Sequence, residues 1–597
     1  MSSLAERSTL SLVLQLLERR DRVRLVISLG LILVGSILEM ASLGLMIPVV
    51  QAVIGGDKRV EYSWLPDWLL EMSYSRFVQF LMLALVGVFL AKNVFLLGSN
   101  YFQQRFQLAV TNRVVQRLFE TYLRQPYEFH LTNSSAVLVR NVQEYSGAVV
   151  GGGVAPLLTI LTDAVTGLGF LAILLVVQPL STIVLLAVFG ISGFIFLRVS
   201  RARTQRWGSE RVKHRGILMQ MLLSGLGGIK EIQLFGRDRE VVETHRESLL
   251  VAARTFYMFG VIQQVPRAAF EVIAVGSVAS LVVFSTLAGN DLQDATLIIA
   301  LFGVVAFRML PSINRVVQAA QQFAFGRSAL EGAVESLSLS EVRRPSRRTI
   351  IDEFKVLEVS GLRYQYPATD RVVLDIEQLT VNAGESLGIV GESGSGKSTL
   401  VDVLIGLLTP MQGDIRVNGR SMADDERYWQ DRIGYVPQHV YLMDTSIRRN
   451  VAFGLPDAQI NESAVRRALR LANIDEFVEG LPDGLETVVG ERGVRLSGGQ
   501  RQRLGIARAL YGNPEVIVLD EATSALDDET EREIVESLRE ISKNRTLIVV
   551  AHRTSTLTYC NRLIRLQSGR IVHEGTFDEV VGSLPKRPSG HSEDTGQ

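Results

Sequence analysis

Residues 386–404 read SLGIVGESGSGKSTLVDVL and decide the fold of the second half of the chain. A run of β-prone, apolar residues leads into Gly391-x-x-x-x-Gly396-Lys397-Ser398, and an apolar helical pattern follows. A strand, a glycine-rich loop and a helix in this order form a P-loop, whose backbone N–H groups surround phosphates. The N-terminus of the following helix also favours negative charge. We therefore expect an α/β P-loop nucleotide-binding domain around this stretch.

The P-loop predicts individual contacts to a nucleotide. Lys397 is expected to reach the β and γ phosphates, and the Ser398 hydroxyl is expected to ligate Mg²⁺. The full set of predicted nucleotide contacts in the loop is Gly391, Ser393, Gly394, Ser395, Gly396, Lys397, Ser398 and Thr399. Glycine-rich turns that bind nothing are the alternative, and the Gly-Lys-Ser ending disfavours it.

Two carboxylates follow another apolar strand pattern, at residues 516–519. Asp520 is placed to hold a metal ion, and Glu521 is placed to act as a general base beside an attacking water. A purely structural pair of acids is the alternative, which the P-loop disfavours. His552 ends a further apolar run and could contact the γ-phosphate, although such a histidine on its own is more often a hydrogen-bonded structural group.

The first half of the chain has the composition of a membrane domain. The 597-residue chain is 47% hydrophobic and has a mean hydropathy of +0.22, more apolar than an ordinary soluble protein. A membrane-spanning helix needs about 20 apolar residues. Six such runs occur, at about 25–53, 77–100, 152–177, 180–199, 268–289 and 293–316. A soluble six-helix bundle is the alternative, but it does not explain the distribution of basic residues among the loops.

Basic residues collect before the first run and in the loops at 101–149 and 200–267, whereas the intervening loops contain few. Because cytoplasmic loops are rich in Lys and Arg, we predict a multi-pass membrane protein with both termini and the nucleotide-binding domain in the cytoplasm. The chain carries 62 basic and 62 acidic residues, so no nucleic-acid partner is expected. Its single cysteine, Cys560, excludes an intramolecular disulfide.

Leu496-Ser497-Gly498-Gly499-Gln500 resembles the signature sequence of ATP-binding cassette (ABC) proteins. Tyr366, in the sequence YQYP, resembles the aromatic residue on which adenine stacks in this family. The other motifs occur in the family's order: the P-loop, Gln438 in YVPQ, the signature, Asp520 with Glu521, the loop that ends at Asp527, and His552. The resemblance covers about 230 residues.

This resemblance implies the cofactors ATP and Mg²⁺ and a role for each motif residue. The implied catalytic residues are Glu521, His552 and Gln438. The implied metal ligands are Ser398, Gln438 and Asp520. Besides the P-loop, the implied nucleotide contacts are Tyr366, Ser497, Gly498, Gly499, Gln500 and Asp527.

The resemblance also implies a head-to-tail homodimer, in which Ser497 and Gly499 of one chain close over ATP held by the P-loop of the other. A heterodimer with another chain is the alternative. Six spans fused to one cassette resemble an ABC exporter half-transporter. The expected transmitters between the two parts are about 128–137 and 226–236.

The expected fold class is an α-helical transmembrane domain of exporter type with six spans, followed by an α/β ATP-binding cassette. The predicted boundaries are an N-terminal interfacial helix at 1–24, the transmembrane domain at 25–330, a linker at 331–352, the cassette at 353–585 and a disordered tail at 586–597. An amphipathic helix is predicted on the outer side, at about 62–73. For residues 9–20, a packed terminal helix is an equally good interpretation.

Three basic residues within the spans indicate the substrate. Lys92, Arg267 and Arg308 lie at similar predicted depths, where a layer of cations would bind a phosphate or pyrophosphate head group. Neutralisation by Glu39 and Glu271 is the alternative. The stretch around Gln125 and Asn133 resembles bacterial flippases for lipid-linked oligosaccharides. This resemblance implies a location in the bacterial inner (cell) membrane.

We therefore expect ATP-driven transfer of a polyprenyl-pyrophosphate-linked oligosaccharide from the cytoplasmic to the outer leaflet. The alternatives are an ABC exporter of hydrophobic drugs, peptides or lipid A-like lipids, and an ATP-regulated membrane protein that does not pump.

Overall fold

The computed structural model describes residues 8–45, 72–177, 179–287, 292–340, 352–367, 369–521, 528–542, 545–551, 557–558 and 560–582. The chain forms two units. The first comprises Met1–Gln125 and Asn133–Glu341, and the second comprises Pro126–Thr132 and Val342–Gln597. Residues 62–71 of the predicted outer helix, residues 341–351 of the predicted linker and the predicted tail lie outside the described residues.

The first unit is helical. In chain order the helices are α1 (Thr9–Leu16), α2 (Arg19–Gly44), α3 (Tyr74–Leu123), α4 (Tyr127–Thr132, in the second unit), α5 (Ser135–Val149), α6 (Ala155–Val177), α7 (Pro179–Gly227), α8 (Ile229–Phe235), α9 (Asp238–Leu287) and α10 (Leu292–Leu337). A π-helical turn, Val150–Val154, joins α5 to α6.

Within the described residues, four helical stretches are long and apolar enough to cross a membrane. They are Arg19–Ser42, Tyr74–Leu123, Ser135–Ala172 and Asp238–Ser277. The predicted spans at 180–199 and 293–316 lie within α7 and α10. A helix of 50 residues, such as α3, is about 75 Å long, whereas the hydrocarbon layer is about 30 Å thick. A helix of this length that crosses the bilayer must therefore extend well beyond it.

Glycines allow the closest helix crossings in the first unit. A Cβ atom on Gly152, in the π-helical turn, would lie 2.7 Å from the Cα atom of Gly326 on α10. A Cβ atom on Gly208 of α7 would clash with the carbonyl oxygen of Phe325, the residue before Gly326 on α10. Since only glycine permits such approaches, these two positions fix how α6, α7 and α10 pack.

Helix α1 packs through one face and leaves another exposed. Leu12, Val13 and Leu16 are buried, whereas Leu10 and Leu14 are exposed. Arg22 donates hydrogen bonds to the carbonyl oxygens at the end of α1, at 3.1 Å from Leu14 O and 3.2 Å from Leu17 O. The packed interpretation of this segment is therefore supported, and its contact with a membrane surface stays a prediction.

The cassette in the second unit has two sheets. The strands are β1 (Val356–Gln365), β2 (Val372–Asn382), β3 (Ser386–Val390), β4 (Gln412–Val417), β5 (Arg420–Ser421), β6 (Ile433–Val436), β7 (Val516–Asp520), β8 (Thr546–Val550), β9 (Arg562–Gln567) and β10 (Arg570–Gly575). The first sheet is antiparallel, with the order β2-β1-β4-β5. The second has the order β10-β9-β3-β8-β7-β6, and its strands are parallel except for β10.

The helices of the cassette are α11 (Lys397–Leu404), α12 (Glu426–Gln430), α13 (Ile447–Val451), α14 (Glu462–Leu471), α15 (Asp475–Glu479), α16 (Gly498–Tyr511), α17 (Asp528–Ser542) and α18 (Phe577–Gly582). Strands β3, β7 and β8 are buried along their whole length, as expected for parallel strands with both faces covered. The carboxyl ends of β3 and β7 therefore lie at one edge of the sheet, separated only by β8.

Cys560 lies in the apolar core of the cassette, against Gly388 of β3. Burial raises the pKa of its thiol to about 12, so the reactive thiolate is scarce at neutral pH. We expect a maleimide to leave the native protein unlabelled and to label one thiol per chain in denaturant. A Ser463→Cys variant, altered at an exposed residue of α14, should label at once in the native state. Rapid labelling of the native wild type would contradict the packing of Cys560.

Candidate functional site

The P-loop forms the centre of the site, between the end of β3 and the start of α11. Gly394 has a φ angle of +79° and Gly396 one of +104°, a backbone region that favours glycine. A Cβ atom on Gly391 would clash with the carbonyl oxygen of Leu566 on β9. The sequence GESGSGK thus folds into a loop that no bulkier sequence could form, directly before a helix N-terminus that attracts phosphate.

Lys397 lies inside this loop. Its Nζ atom donates hydrogen bonds of 2.9 Å to the carbonyl oxygens of Gly391 and Glu392, and the residue is 5% exposed. Burial lowers the pKa of Lys397, and the nearby charges of Glu521 and Asp520 partly offset this effect. The ammonium group is therefore held where phosphate oxygens would enter the loop.

The two acids at the end of β7 lie at the same edge. The hydroxyl of Ser398 donates to Oδ1 of Asp520 at 3.4 Å. Glu521 follows in a left-handed conformation, with a φ angle of +47°, and its backbone N–H donates to Val550 O at 2.9 Å. Because β3 and β7 are parallel strands of one sheet, the structure brings the P-loop and both acids together.

Gln438 completes this arrangement from a loop that follows β6. Its Nε2 atom donates a hydrogen bond of 2.6 Å to Oε2 of Glu521. Nothing in the local sequence pattern predicts this contact, which joins residues 83 positions apart. The amide of Gln438 is therefore placed to orient the Glu521 carboxylate.

The oxygen atoms of this edge suit a magnesium ion. Mg²⁺ prefers hard oxygen ligands and usually binds one or two protein groups together with substrate phosphates. Ser398 and Asp520 supply a hydroxyl and a carboxylate side by side, and Gln438 supplies a side-chain amide. Bound here, the ion would neutralise charge on the phosphates during hydrolysis.

A cleft of about 480 Å³ opens over these residues. The predicted residues that line it are Ser393, Gly394, Gly396, Lys397, Ser398, Thr399, Gln438 and Glu521. The lining also includes five residues that were not predicted from the sequence: Arg371, Val372, Val373, Ser568 and Gly569. The backbone N–H of Gly569 donates to Ser395 O at 3.0 Å, so the turn between β9 and β10 supports the P-loop. The Ser-Gly pair between two strand patterns was the available signal for this turn.

Tyr366 lies beside the P-loop helix, although it is not one of the residues that line the cleft. Its hydroxyl forms a hydrogen bond of 3.0 Å with Oγ1 of Thr399, and its ring meets Tyr364 edge-on at 5.1 Å. The stacking of adenine on this ring stays a prediction.

The signature residues lie elsewhere on the cassette. Ser497 caps α16: its Oγ atom accepts from the Gln500 backbone, and its own N–H donates to the Gln500 side chain. Among the described residues that line the cleft, none belongs to the signature. The signature thus forms an exposed helix N-terminus that does not line this cleft. Asp527 and His552 lie outside the described residues.

Helix α4 packs within the second unit, beside α11. Tyr127 lies against the apolar core under the antiparallel sheet, and Oε1 of Glu128 accepts a hydrogen bond of 2.9 Å from the Thr409 backbone. The predicted transmitting segment at 128–137 therefore begins in direct contact with the cassette. On the neighbouring helix α11, burial raises the pKa of Asp402 to about 6, and the charge of Asp520 adds to this rise.

The three predicted substrate cations differ in their surroundings. Lys92 is 6% exposed, and its Nζ atom lies 4.5 Å from the centre of the Phe89 ring. Arg267 is 68% exposed and pairs with Glu271, one turn further along α9, at 3.0 Å. The side chain of Arg308 lies outside the described part of the chain. Glu271 therefore neutralises Arg267, as the alternative interpretation expects. A common layer of cations stays a prediction.

An ion pair that was not predicted from the sequence joins α6 and α10. Arg315 of α10 binds Asp163 of α6, with 2.6 Å between Nη2 and Oδ1 and 2.9 Å between Nε and Oδ2. Asp163 is buried, and Arg315 also donates to Ser312 at 3.0 Å. The two residues are 152 positions apart, so no local spacing indicates their contact.

Comparison with known proteins identifies the family. Residues 25–309 match the model of the ABC transporter transmembrane region, and residues 374–524 match that of the ABC transporter. A protein of Alkalilimnicola ehrlichii is 31% identical over 83% of this chain and 84% of its own length. This chain belongs to the ABC transporter family. The relative from Alkalilimnicola ehrlichii is named an ATP-dependent lipid A-core flippase. A protein of Ralstonia nicotianae carries the same name and is 31% identical over 83% of this chain and 84% of its own length.

A solved structure of a bacterial Atm1-family ABC exporter with ATP bound shares the fold. The two structures superpose with a TM-score of 0.78 at 21% sequence identity, and the superposition covers 94% of this chain and 96% of the other chain. The expected helical transmembrane domain followed by an ATP-binding cassette is therefore confirmed. The protein is a membrane-spanning ABC half-transporter that hydrolyses ATP to drive transport.

Proposed function

We propose that this ABC half-transporter forms a homodimeric flippase, which uses ATP to move a glycolipid of the lipid A-core kind from the inner to the outer leaflet. The observation that carries this proposal is the similarity to lipid A-core flippases, which extends through both the spans and the cassette. A half-transporter of this family works as a dimer, and the exposed N-terminus of the signature helix α16 supports a second copy as the partner.

The similarity favours the lipid A-like alternative over the polyprenyl-pyrophosphate substrate that we expected from the sequence. That expectation depended on short matches around Gln125 and Asn133, whereas the similarity to lipid A-core flippases covers 83% of the chain. Both lipids combine apolar chains, phosphate groups and a sugar head group. The polyprenyl lipid is therefore the comparison substrate for the test.

The geometry of the cassette supports the roles proposed for ATP hydrolysis. Lys397 binds the phosphates, Ser398 and Asp520 hold Mg²⁺, and Glu521 accepts a proton from the attacking water. Gln438, which lies 2.6 Å from Glu521, orients that carboxylate. A bound Mg²⁺ supplies the positive charge that the phosphate oxygens need.

Exposed apolar residues support contact with a second chain. Helix α8 and the residues just before it leave a row of large side chains exposed: Leu226, Ile229, Leu234 and Phe235. This row coincides with the predicted transmitting segment at 226–236. Apolar patches of this kind mark protein interfaces, and the exposed N-terminus of α16 would complete the partner's nucleotide site.

Lys92 is the cation that best fits a lipid head group. Leu81, Lys92, Ser99 and Phe106 are all buried on one face of α3, which therefore faces the helical bundle rather than lipid. An ammonium group in such a place is costly unless an anion or a cavity accompanies it. A phosphate of the transported lipid is the anion that we propose.

A comparison of two cations tests the proposed contact. Lys92→Ala should lower lipid transport per ATP hydrolysed by about tenfold, because the lost ammonium–phosphate contact is worth about 1.4 kcal/mol. Arg267→Ala is the matched control and should change transport less than about twofold, since Glu271 already neutralises that charge. Lys92→Arg should retain most activity. Equal transport in the Lys92→Ala and Arg267→Ala variants would remove Lys92 from the substrate path.

Stimulation of ATP hydrolysis distinguishes the substrate classes. The purified protein in nanodiscs would be titrated with lipid A, with a polyprenyl-pyrophosphate oligosaccharide and with a zwitterionic phospholipid. We expect stimulation by lipid A at the lowest concentration. Stronger stimulation by the polyprenyl lipid would favour the polyprenyl-pyrophosphate substrate, and an equal response to all three would contradict a glycolipid substrate.

A further inference from the structure

Arg508, on the signature helix α16, is a largely buried cation whose hydrogen-bond acceptors in the described cassette are all neutral oxygens. Nε donates to Asn450 O at 2.8 Å, Nη1 to Tyr441 O at 2.7 Å, and Nη2 to Oδ1 of Asn450 at 3.2 Å. The guanidinium also lies 4.5 Å from the centre of the Phe453 ring. Burial lowers the pKa of Arg508 to about 10, so the group stays charged at neutral pH.

Asn450 extends these contacts to the segment at residues 441–446. It is fully buried on α13, its Oδ1 atom accepts from the Met443 backbone at 2.9 Å, and its Nδ2 atom donates to Met443 O at 2.9 Å and Ser446 O at 3.2 Å. Arg508 therefore holds the segment both directly, through Tyr441, and through Asn450. A buried network with its partners in place is rigid.

The network connects two parts of the ATPase. The segment at 441–446 begins three residues after Gln438, which contacts Glu521. The other part is the signature: Ser497 caps the N-terminus of α16, about 16 Å along the helix from Arg508. Arg508 thus lies between the group that orients the chain's own catalytic acid and the group that would close over the partner's ATP.

We propose that Arg508 is a positioning residue for ATP hydrolysis, which holds the signature helix and the segment at 441–446 as one body. When Ser497 engages the partner's nucleotide, Gln438 of the same chain is then held in its contact with Glu521. This inference rests on the proposed dimer. It predicts that occupation of one ATP site affects the other through Arg508.

The test compares three variants of the full-length protein in nanodiscs. Arg508→Ala removes the network, and Arg508→Lys keeps the charge but cannot reach both Asn450 and Tyr441 with a rigid planar fork. Arg503→Ala is the matched control: Arg503 lies on the same helix, donates to Asn473 O at 2.8 Å and pairs with Glu533, away from Gln438. Each variant is measured for its melting temperature, nucleotide affinity, kcat, KM and Hill coefficient.

We expect Arg508→Ala to lower kcat by about tenfold, to keep nucleotide affinity within about twofold and to reduce the Hill coefficient to one. Arg508→Lys should lie between this variant and the wild type. Arg503→Ala should stay within about twofold in every measurement. A purely structural role would lower the melting temperature without changing the kcat or the Hill coefficient of the folded fraction.

The proposal is overturned if the folded Arg508→Ala protein matches Arg503→Ala in kcat and Hill coefficient. If Arg508→Ala does not fold, wild-type values in Arg508→Lys overturn it, and a reduced kcat with a Hill coefficient of one supports it. The mass of the ATP-bound wild type is measured first, and a monomer would overturn the dimer and this proposal together. Because no lipid substrate is added, failure of the proposed flippase substrate would not alter these outcomes.

Discussion

Glu521→Gln is expected to bind ATP normally and to lose at least about a hundredfold in ATP turnover. General-base catalysis contributes about 10²–10⁴-fold, and an amide in place of the carboxylate cannot accept the proton from the attacking water. The substitution keeps the size of the side chain, so the contact with Gln438 at 2.6 Å can be replaced by another hydrogen bond. Steady-state phosphate release and equilibrium binding of a fluorescent ATP analogue separate turnover from affinity.

A second glutamate serves as the matched control for this variant. Glu536 is exposed on α17, outside the cleft, so Glu536→Gln should hydrolyse ATP at the wild-type rate. If Glu521→Gln hydrolyses ATP as fast as Glu536→Gln, Glu521 is not the base. A loss of ATP affinity equal to its loss of turnover would instead make Glu521 a nucleotide-binding residue.

Lys397→Ala is expected to weaken ATP binding by about tenfold to a hundredfold. The ammonium group is held inside the P-loop by the carbonyl oxygens of Gly391 and Glu392, where it would meet the phosphates. Charge-assisted contacts of this kind contribute about 1.5–3 kcal/mol each. A ligand that binds the folded state raises the melting temperature, so the variant should lose most of the stabilisation that ATP gives the wild type.

Lys355→Ala is the control for this measurement, because Lys355 is an exposed lysine of the same cassette. Its ATP-induced rise in melting temperature should equal that of the wild type. An unchanged rise in the Lys397→Ala variant would contradict the proposed phosphate contact.

The parts of the site that could be predicted from the sequence lie at the ends of strands. Short apolar runs at 387–390 and 516–519 predicted the buried strands β3 and β7, and the parallel arrangement of these strands places the residues after each run at one edge of the sheet. This is why Lys397 and Asp520 could be assigned to a common site from local patterns. The apolar runs of the first half predicted long helices for the same reason, because length and composition are local properties.

The contacts that could not be predicted join distant segments. The hydrogen bond from Gln438 to Glu521, the ion pair of Asp163 with Arg315 and the three bonds of Arg508 each depend on how whole elements pack. The sequence indicates no partner for any of these residues. By contrast, Arg267 and Glu271 are four residues apart on one helix, so their pairing could be foreseen as an alternative to a cation layer.

The transported substrate was the property that the sequence predicted least well. Short matches in one loop favoured a polyprenyl-pyrophosphate lipid, but a few residues of one loop carry little information on the transported substrate. Similarity over 83% of the chain samples the spans that form a transport path, so it carries more information on the substrate. Phosphate and sugar are common to both lipids, so the proposed contact with Lys92 does not distinguish between them.

The most direct test of the proposed function is ATP-dependent movement of lipid A across the membrane of sealed proteoliposomes that contain only this protein. The amount of lipid in the receiving leaflet would be measured with ATP, without ATP, and with the Glu521→Gln variant. We predict movement that requires both ATP and Glu521. Rapid ATP hydrolysis without movement of lipid A would contradict a lipid A-type flippase.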